Sequence, residues 1–329
     1  MAGWNLSSRL QYYRRIFSAY LLPGKSQLTF WHETPEINRN LRTDQLGEYY
    51  MTFAAKADYP GHHDANGIPM LDYRGKIGLQ YNPIAIAQWG LGNYNLLRQT
   101  GDPARREKLV RCADWLLSNL DQNPQGVWVW KHHFDWEYRD TLRAPWYSGL
   151  AQGQGISLLL RAHLATGNSN YLGAARDAFK AFEKPVDEGG VAFIDARGDW
   201  WIEEYIVQPP THILNGFIWA LWGVYDMFLA TGEIPYRAVF DRGVRTLERN
   251  LERYDTGYWS LYEQSGTRMK MLASPFYHRL HIVQLKVMHR LTGAEVFARL
   301  AERWRDFQGS RSGRARAIVG KSLFKLFYY

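Results

Sequence analysis

The sequence predicts a mainly α-helical protein, an α/α toroid (barrel) of about four inner–outer helical hairpins with short β-strands in the loops at its active face. Three observations carry this reading. The pair Thr-Gly recurs at Thr100-Gly101, Thr166-Gly167, Thr231-Gly232 and Thr292-Gly293, at intervals of 66, 65 and 61 residues by subtraction of positions. Each pair ends a strongly apolar helical segment and is followed by a more amphipathic one. Three of the amphipathic segments lead to a Gly and then a strand-like run: Val127 to Trp130, Val191 to Asp195 and Tyr258 to Tyr262.

The apolar segments run from Ile84 to Trp89 and beyond, Ala151 to Leu164, Ile213 to Leu229 and His281 to Leu291. Helices that are apolar nearly all round belong inside, and Gly after the last turn is the expected stop. The segments holding Asp114 to Leu117, Ala175 to Phe179, Val244 to Leu247 and Ala298 to Ala301 keep charges on one face and belong outside. Tight Thr-Gly turns then gather at one end of the barrel and the long outer-to-inner loops at the other, which makes the long-loop end the active face.

Before this repeat, residues 1–76 form an N-terminal helix and an extended or β-hairpin arm; 77–310 form the barrel, and 311–329 a basic amphipathic tail. In the first helix Leu10, Tyr13, Phe17 and Tyr20 share a face beside Arg9, Arg14 and Arg15, and the tail mixes Arg314, Arg316, Lys321 and Lys325 with apolar residues. Both ends are candidates for peripheral membrane contact. His62-His63-Asp64 lacks a further spaced ligand, so no metal site is expected.

Composition bounds the partner. The chain has 329 residues, 46% of them hydrophobic, a mean hydropathy of −0.41, a net charge of +8 and a pI near 9.4. A basic protein favours an acidic partner, and 15% aromatic residues, including 14 Trp, suit sugar rings. Nucleic acid is the weakest choice, because the basic residues are spread along the chain without a recognised motif. Cys112 stands alone, which removes disulfides and thiolate metal sites. The first residues carry neither a secretory leader nor a membrane-spanning run, so a cytoplasmic setting, in places peripheral to the membrane, is expected.

The segment Trp200-Trp201-Ile202-Glu203-Glu204-Tyr205 sets carboxylates beside a phenol among indoles, just ahead of the helix that begins near Asn215. With Tyr262 and Tyr277 it suggests proton transfer on a uronic acid. Inverting C5 removes a proton next to a carboxylate and returns one to the opposite face, so an acid–base group must stand on each side of the ring. Successive residues of an extended segment point opposite ways, so Glu203 and Glu204 should not both face the cleft. The developing enolate needs positive charge or donors, for which Arg143, Arg279, Asn215, His278 and His281 are candidates. Gln152, Gln154 and Asn215 either tie loops together or bind sugar hydroxyls.

Several blocks, in order, resemble the D-glucuronyl C5-epimerases, which act on heparosan-type polysaccharides. They are Tyr81-Asn82-Pro83 with Ile86 to Leu91, Trp146 to Gln154, Glu203-Glu204-Tyr205, Leu214 to Phe217, Tyr254 to Gly257, Tyr277-His278 with His281-Ile282, and Arg303-Trp304. The resemblance covers roughly residues 80 to 311. It implies an α/α-barrel catalytic domain that converts D-glucuronate to L-iduronate without a cofactor. Glu204, Tyr205, Tyr262 and Tyr277 would be catalytic, and Tyr147 and Trp201 would join the substrate-binding candidates. The chain departs from the family after Tyr262, where Glu263-Gln264-Ser265-Gly266 replaces an anion-binding Asp-Leu-Arg-His run, so the glycan expected is uronic-acid-bearing and not necessarily heparosan. A polysaccharide lyase, a hydrolase pairing Glu204 with Asp195, Glu137 or Glu263, and a non-catalytic glycan-binding module are the alternatives.

Overall fold

Four helical hairpins follow one another in the computed structural model, which describes residues 30–328 except 32 and 74 and, for 325–328, the backbone alone. The expected N-terminal helix face of Leu10, Tyr13, Phe17 and Tyr20, with Arg9, Arg14 and Arg15, lies outside the described residues. A short helix α1 (Ala54–Ala57) precedes the hairpins, which pair α2 (Pro83–Thr100) with α3 (Pro103–Ser118), α4 (Gly149–Thr166) with α5 (Ser169–Glu183), α6 (Leu214–Thr231) with α7 (Ile234–Asn250) and α8 (Pro275–Thr292) with α9 (Glu295–Gly309). The first member of each pair is inner. These pack in chain order, α2 on α4, α4 on α6 and α6 on α8, while each outer helix covers its own partner. This is the α/α toroid that the sequence predicts.

The Thr-Gly repeat has a shared local chemistry. Each glycine closes its inner helix in the left-handed region, with φ of 71° to 75° at Gly101, Gly167, Gly232 and Gly293, where a β-carbon would be strained. Each threonine hydroxyl donates back one turn, to the carbonyls of Leu96, Ala162, Met227 and Met288 at 2.7 to 2.8 Å. The same oxygen accepts from the backbone N–H two residues on, at 3.1 to 3.2 Å, and so steers the chain into the outer helix. Two residues thus reverse the chain, and all inner helices must point the same way.

The opposite end carries the long loops. β3 (Leu120–Gln122) pairs antiparallel with β4 (Trp128–Trp130), and β7 (Ala192–Ile194) with β8 (Trp200–Ile202), the latter in the register Ala192↔Ile202. A smaller ribbon, β5 (Trp136–Glu137) with β6 (Thr141–Leu142), sits before α4; ahead of α2, β1 (Leu71–Asp72) of the arm pairs with β2 (Leu79–Gln80) just past the arm's expected end. The arm's His62-His63-Asp64 segment forms a turn, in which Asp64 accepts from the N–H groups of Asn66 and Ile68 and from the Tyr81 hydroxyl.

Small residues let the inner helices meet closely: a β-carbon on Gly153 would stand 2.5 Å from Ala220 Cα, and one on Gly223 would stand 2.3 Å from the Gly153 carbonyl oxygen. Near the Thr-Gly end, α4 and α6 are joined by a fully buried ion pair. Arg161 donates to both Asp226 oxygens, at 2.6 and 3.1 Å, and Tyr50 of the arm donates to the same carboxylate at 2.7 Å. Arg161 Nε also reaches the Gly47 carbonyl at 3.0 Å, and the Tyr49 N–H donates to Asn95 of α2 at 2.7 Å. The arm therefore crosses the turn end of the barrel and is bonded to three inner helices.

Removing one partner of a buried pair leaves an uncompensated charge. Asp226→Asn should lower unfolding free energy by about 3–5 kcal/mol, read by urea denaturation.

Candidate active site

Glu204, Asn215, Tyr262 and Tyr277 stand where long loops meet the N-terminal ends of inner helices. β8 delivers Glu203 and Glu204 side by side, and extended geometry sends them to opposite sides. Glu203 is buried, not solvated. Its Oε2 accepts from the backbone N–H groups of Thr211 and His212, at 3.3 and 3.1 Å, and its Oε1 lies 2.5 Å from His212 Nδ1. The Tyr254 hydroxyl donates to the His212 carbonyl at 2.5 Å, so Glu203 pins the loop that leads into α6.

Glu204 turns toward the first turn of α6. Its Oε2 accepts from Asn215 Nδ2 at 3.4 Å, and a β-carbon on Gly216 would stand 2.2 Å from that oxygen. Only glycine at 216 leaves room for the carboxylate. Burial pushes the Glu204 carboxyl up to about 8, against a hydrogen bond from Tyr205 that lowers it and with the neighbouring Glu203 raising it further.

Near this carboxyl is a group of phenols. Tyr262 is buried, and its ring meets that of Tyr277 edge-on at 4.8 Å between centroids. Burial first, then Glu204, Tyr277, Tyr205 and Tyr138, hold the Tyr262 phenol well above its ordinary value, so it keeps its proton at neutral pH. Tyr205 lies against Tyr138 at 4.7 Å and edge-on to Trp146 at 5.7 Å, while the Tyr138 hydroxyl donates to Glu263. The backbone fixes Tyr262 from both sides: its N–H donates to the Met271 carbonyl at 2.8 Å, and its carbonyl accepts from the Leu214 N–H at 3.2 Å. Ser274 caps α8 by accepting from the Tyr277 N–H at 3.3 Å.

Glu204, Tyr205, Tyr262, Tyr277 and Asn215 are thus brought together. Other candidates are committed elsewhere. Trp201 is fully buried, stacked on His212 at 4.3 Å and bonded through Nε1 to Asp195 at 3.2 Å, so it has no face for a sugar. Gln152 accepts from the Trp130 N–H and donates to the carbonyls of Trp128 and Ala178, tying β4 to the barrel. Gln154 accepts from Gln88 at 2.9 Å between α2 and α4.

His278 is buried and stacked on Trp259 at 3.8 Å; its Nδ1 accepts from the Ser260 N–H and its Nε2 faces the Trp304 carbonyl at 2.9 Å. Burial lowers it to about 4, so it is neutral. His281 lies behind Ser260, 3.1 Å from its hydroxyl, and burial pulls it well below its ordinary range too. Neither histidine supplies a cation.

Arg143 is exposed and paired with Asp135 at 2.5 Å. Arg279, also exposed, stands about 200° round α8 from Tyr277 at ~100° per residue. Tyr147 is half-buried toward Asn123 of the β3–β4 turn, where burial raises its phenol and a hydrogen bond with Asn123 lowers it. Of the carboxylates weighed as partners for Glu204, Asp195 caps the β7–β8 turn and Glu137 is exposed on β5, whereas Glu263 is buried beside Tyr138.

Sequence reasoning missed Tyr138, which reaches the phenols from the β5–β6 ribbon, and Lys321, whose ammonium lies 5.3 Å from the Tyr262 ring centroid. Nothing in the run Glu137-Tyr138-Arg139 marks the first. The second has a signal in the spacing Gly313, Ala317, Gly320 and Phe324, a close-packing helix face on which a lysine is out of place.

The shift at Glu204 has a consequence for stability. The folded state binds the proton up to pH about 8 and the unfolded chain only up to about 4.5, so this contribution is whole below the lower value and is lost as pH rises through the upper. Glu204→Gln should therefore be more stable than the parent at pH about 9, with the difference closing toward pH about 5, as measured by thermal unfolding across pH.

Comparison with known proteins agrees in sequence. The family model described as "D-glucuronyl C5-epimerase C-terminus" matches residues 122–306, more than half of the chain and inclusive of Glu204, Tyr205, Tyr262 and Tyr277. The chain is 33% identical over 209 residues to a D-glucuronyl C5-epimerase of Caenorhabditis elegans, covering 59% of this chain and 33% of that protein. It is 30% identical over 203 residues to an uncharacterised protein of Methanocaldococcus jannaschii, covering 61% of this chain and 64% of that one. In both cases the chain spans less than two thirds of its relative.

Among solved structures, a family 76 glycoside hydrolase from a bovine Bacteroides thetaiotaomicron strain is similar at a TM-score of 0.47 and 14% identity, covering 65% of this chain and 44% of that one. The unsaturated glucuronyl hydrolase of Bacillus sp. GL1 is similar at a TM-score of 0.43 and 15% identity, covering 71% and 61%. On the match over residues 122–306, this chain belongs to the D-glucuronyl C5-epimerase C-terminus family.

Proposed function

We propose that the protein is a uronic-acid C5-epimerase, an isomerase that converts D-glucuronate to L-iduronate within an acidic glycan. The observation that carries this reading is the placement of a buried carboxyl, Glu204 on Asn215, in one cluster with a buried phenol, Tyr262, set edge-on to Tyr277; burial raises the carboxyl to about 8 and keeps the phenol protonated. Such a pair divides the work. Ionised Glu204 takes the C5 proton, and the C5–H electrons pass into an enolate conjugated with the substrate carboxylate. The Tyr262 hydroxyl then gives its proton to C5 from the opposite face, leaving a phenolate that recovers a proton before the next turnover. Tyr277 holds the Tyr262 ring edge-on and is the alternative donor. Asn215 and the N-terminal ends of α4, α6 and α8 offer donors and positive partial charge toward the developing anion. The chain needs no cofactor for these steps.

A base must be ionised to act, so exchange should rise with pH toward a plateau above about 8. Incubation with heparosan and other glucuronate-bearing chains in deuterated water, followed by NMR, should give deuterium at C5 together with iduronate. Glu204→Gln and Tyr262→Phe should each slow exchange by about 10²–10⁴-fold. Unsaturated ends accompanying exchange would instead make the protein a lyase, and no exchange on any chain would reject the epimerase.

We also propose peripheral membrane contact through the C-terminal helix α10 (Arg311–Tyr328). Val319 and Leu323 are exposed about 40° apart round α10, and the exposed Arg311 stands about 80° from Val319 at ~100° per residue. The protein should float with anionic liposomes and lose that association on joint Val319→Asp and Leu323→Asp substitution; equal flotation of the two would refute the contact.

A further inference from the structure

We propose that Lys321 of α10 is a working residue of this site, supplying positive charge to the anion that forms against Tyr262. The inference rests on the epimerase reading. It concerns a helix beyond the residues matched by the family, which end at 306.

The inner face of α10 is built for close approach. Gly313, Ala317, Lys321 and Phe324 are buried along it, and a β-carbon on Gly320 would stand 2.7 Å from Leu272 Cδ1. The helix thus lies directly on the loop that carries Tyr258 to Leu272. Two cations rest on rings of that loop: Arg316 over Tyr258 at 4.0 Å, and Lys321 over Tyr262 at 5.3 Å. They differ in exposure, for Arg316 is open to solvent and Lys321 is 5% exposed.

A buried ammonium is costly to desolvate, and among Gly, Ala and Phe an apolar side chain would dock the helix at less cost. Its place is explained by the charge of its neighbours. Glu204 and Glu263 lie in the same cluster as Tyr262, and the proposed reaction adds two further negative groups, the substrate carboxylate and the Tyr262 phenolate. The four residues after Tyr262 contain no cation, Arg268 and Lys270 further along that loop are exposed, Arg143 is exposed and paired with Asp135, and Arg279 is exposed on the far side of α8 from Tyr277. Among the described residues Lys321 is the cation that the structure brings onto this group. A cation over the ring of a phenol is attracted to its face, and more strongly once the phenol is ionised.

The test compares Lys321→Met, Lys321→Arg and Arg316→Met in the full-length protein, with folding checked by circular dichroism and thermal unfolding. Lys321→Met should slow C5 exchange at least tenfold, Lys321→Arg should restore part of the rate, and Arg316→Met, which also removes a ring-docked cation of α10, should exchange at close to the parent rate. A fall in kcat with KM unchanged would identify the phenolate as the anion served; a rise in KM would identify the substrate carboxylate. Parental exchange in Lys321→Met, equal losses in Lys321→Met and Arg316→Met, or no recovery with arginine would overturn the proposal and leave the helix a docking element.

If the parent exchanges no glucuronate chain, the epimerase reading fails by itself. Calorimetric titration with a glucuronate oligosaccharide then decides Lys321: weaker binding by Lys321→Met supports it, whereas equal binding, or none by either protein, overturns it.

Discussion

The constraint on which this molecule depends is the length of its two kinds of connection. A threonine that bonds backward to its helix and forward to the next reverses the chain in two residues, so every inner helix starts at the same end. The longer loops are forced to that end, and segments far apart in sequence discharge their side chains at one mouth. Glu204, Tyr262 and Tyr277 meet for this reason before any contact among them is considered. Their surroundings inherit the same geometry, because the partial positive ends of the inner helices all face the mouth.

Within the mouth the chemistry comes from unequal treatment of similar groups. Glu203 and Glu204 are neighbours in the chain and both are buried, yet one is saturated by two backbone donors and His212, while the other has a single long bond from Asn215 and a hydrogen bond from Tyr205. The first is a strut. The second is left with an unsatisfied preference for its neutral form, which burial and the Glu203 charge reinforce. Gly216 makes this possible by removing the one side chain that would occupy the space of the carboxylate.

The helical frame was legible because its signals are local. A Thr-Gly pair, the helix it ends and the face its successor buries are all read within a few turns, and the structure adds only the bonds that explain the threonine. The residues gathered at the mouth were legible in part. Glu204, Tyr262 and Tyr277 follow from connection geometry and family resemblance together. Trp201, Gln152 and His278 show why the remainder was not: a buried indole, amide or imidazole bonded to a backbone carbonyl or a carboxylate looks in sequence like one waiting for a sugar. Only the three-dimensional partner distinguishes them. Lys321 was passed over for the opposite reason, since its charge suggested the surface of an amphipathic helix, although the small residues Gly313, Ala317 and Gly320 on its side mark that face as a packing one.

The arm that crosses the turn end bears on which parts of the molecule are free to vary. Tyr50, Asp226 and Arg161 tie that end together with charge and hydrogen bonds, and the inner helices touch without room for a side chain between Gly153 and Gly223. A change at any of these positions is felt by the frame as a whole. The opposite end is built from loops, whose length and sequence can change while the helices that carry them stay in place, so one end of the molecule keeps the shape and the other is open to new specificity.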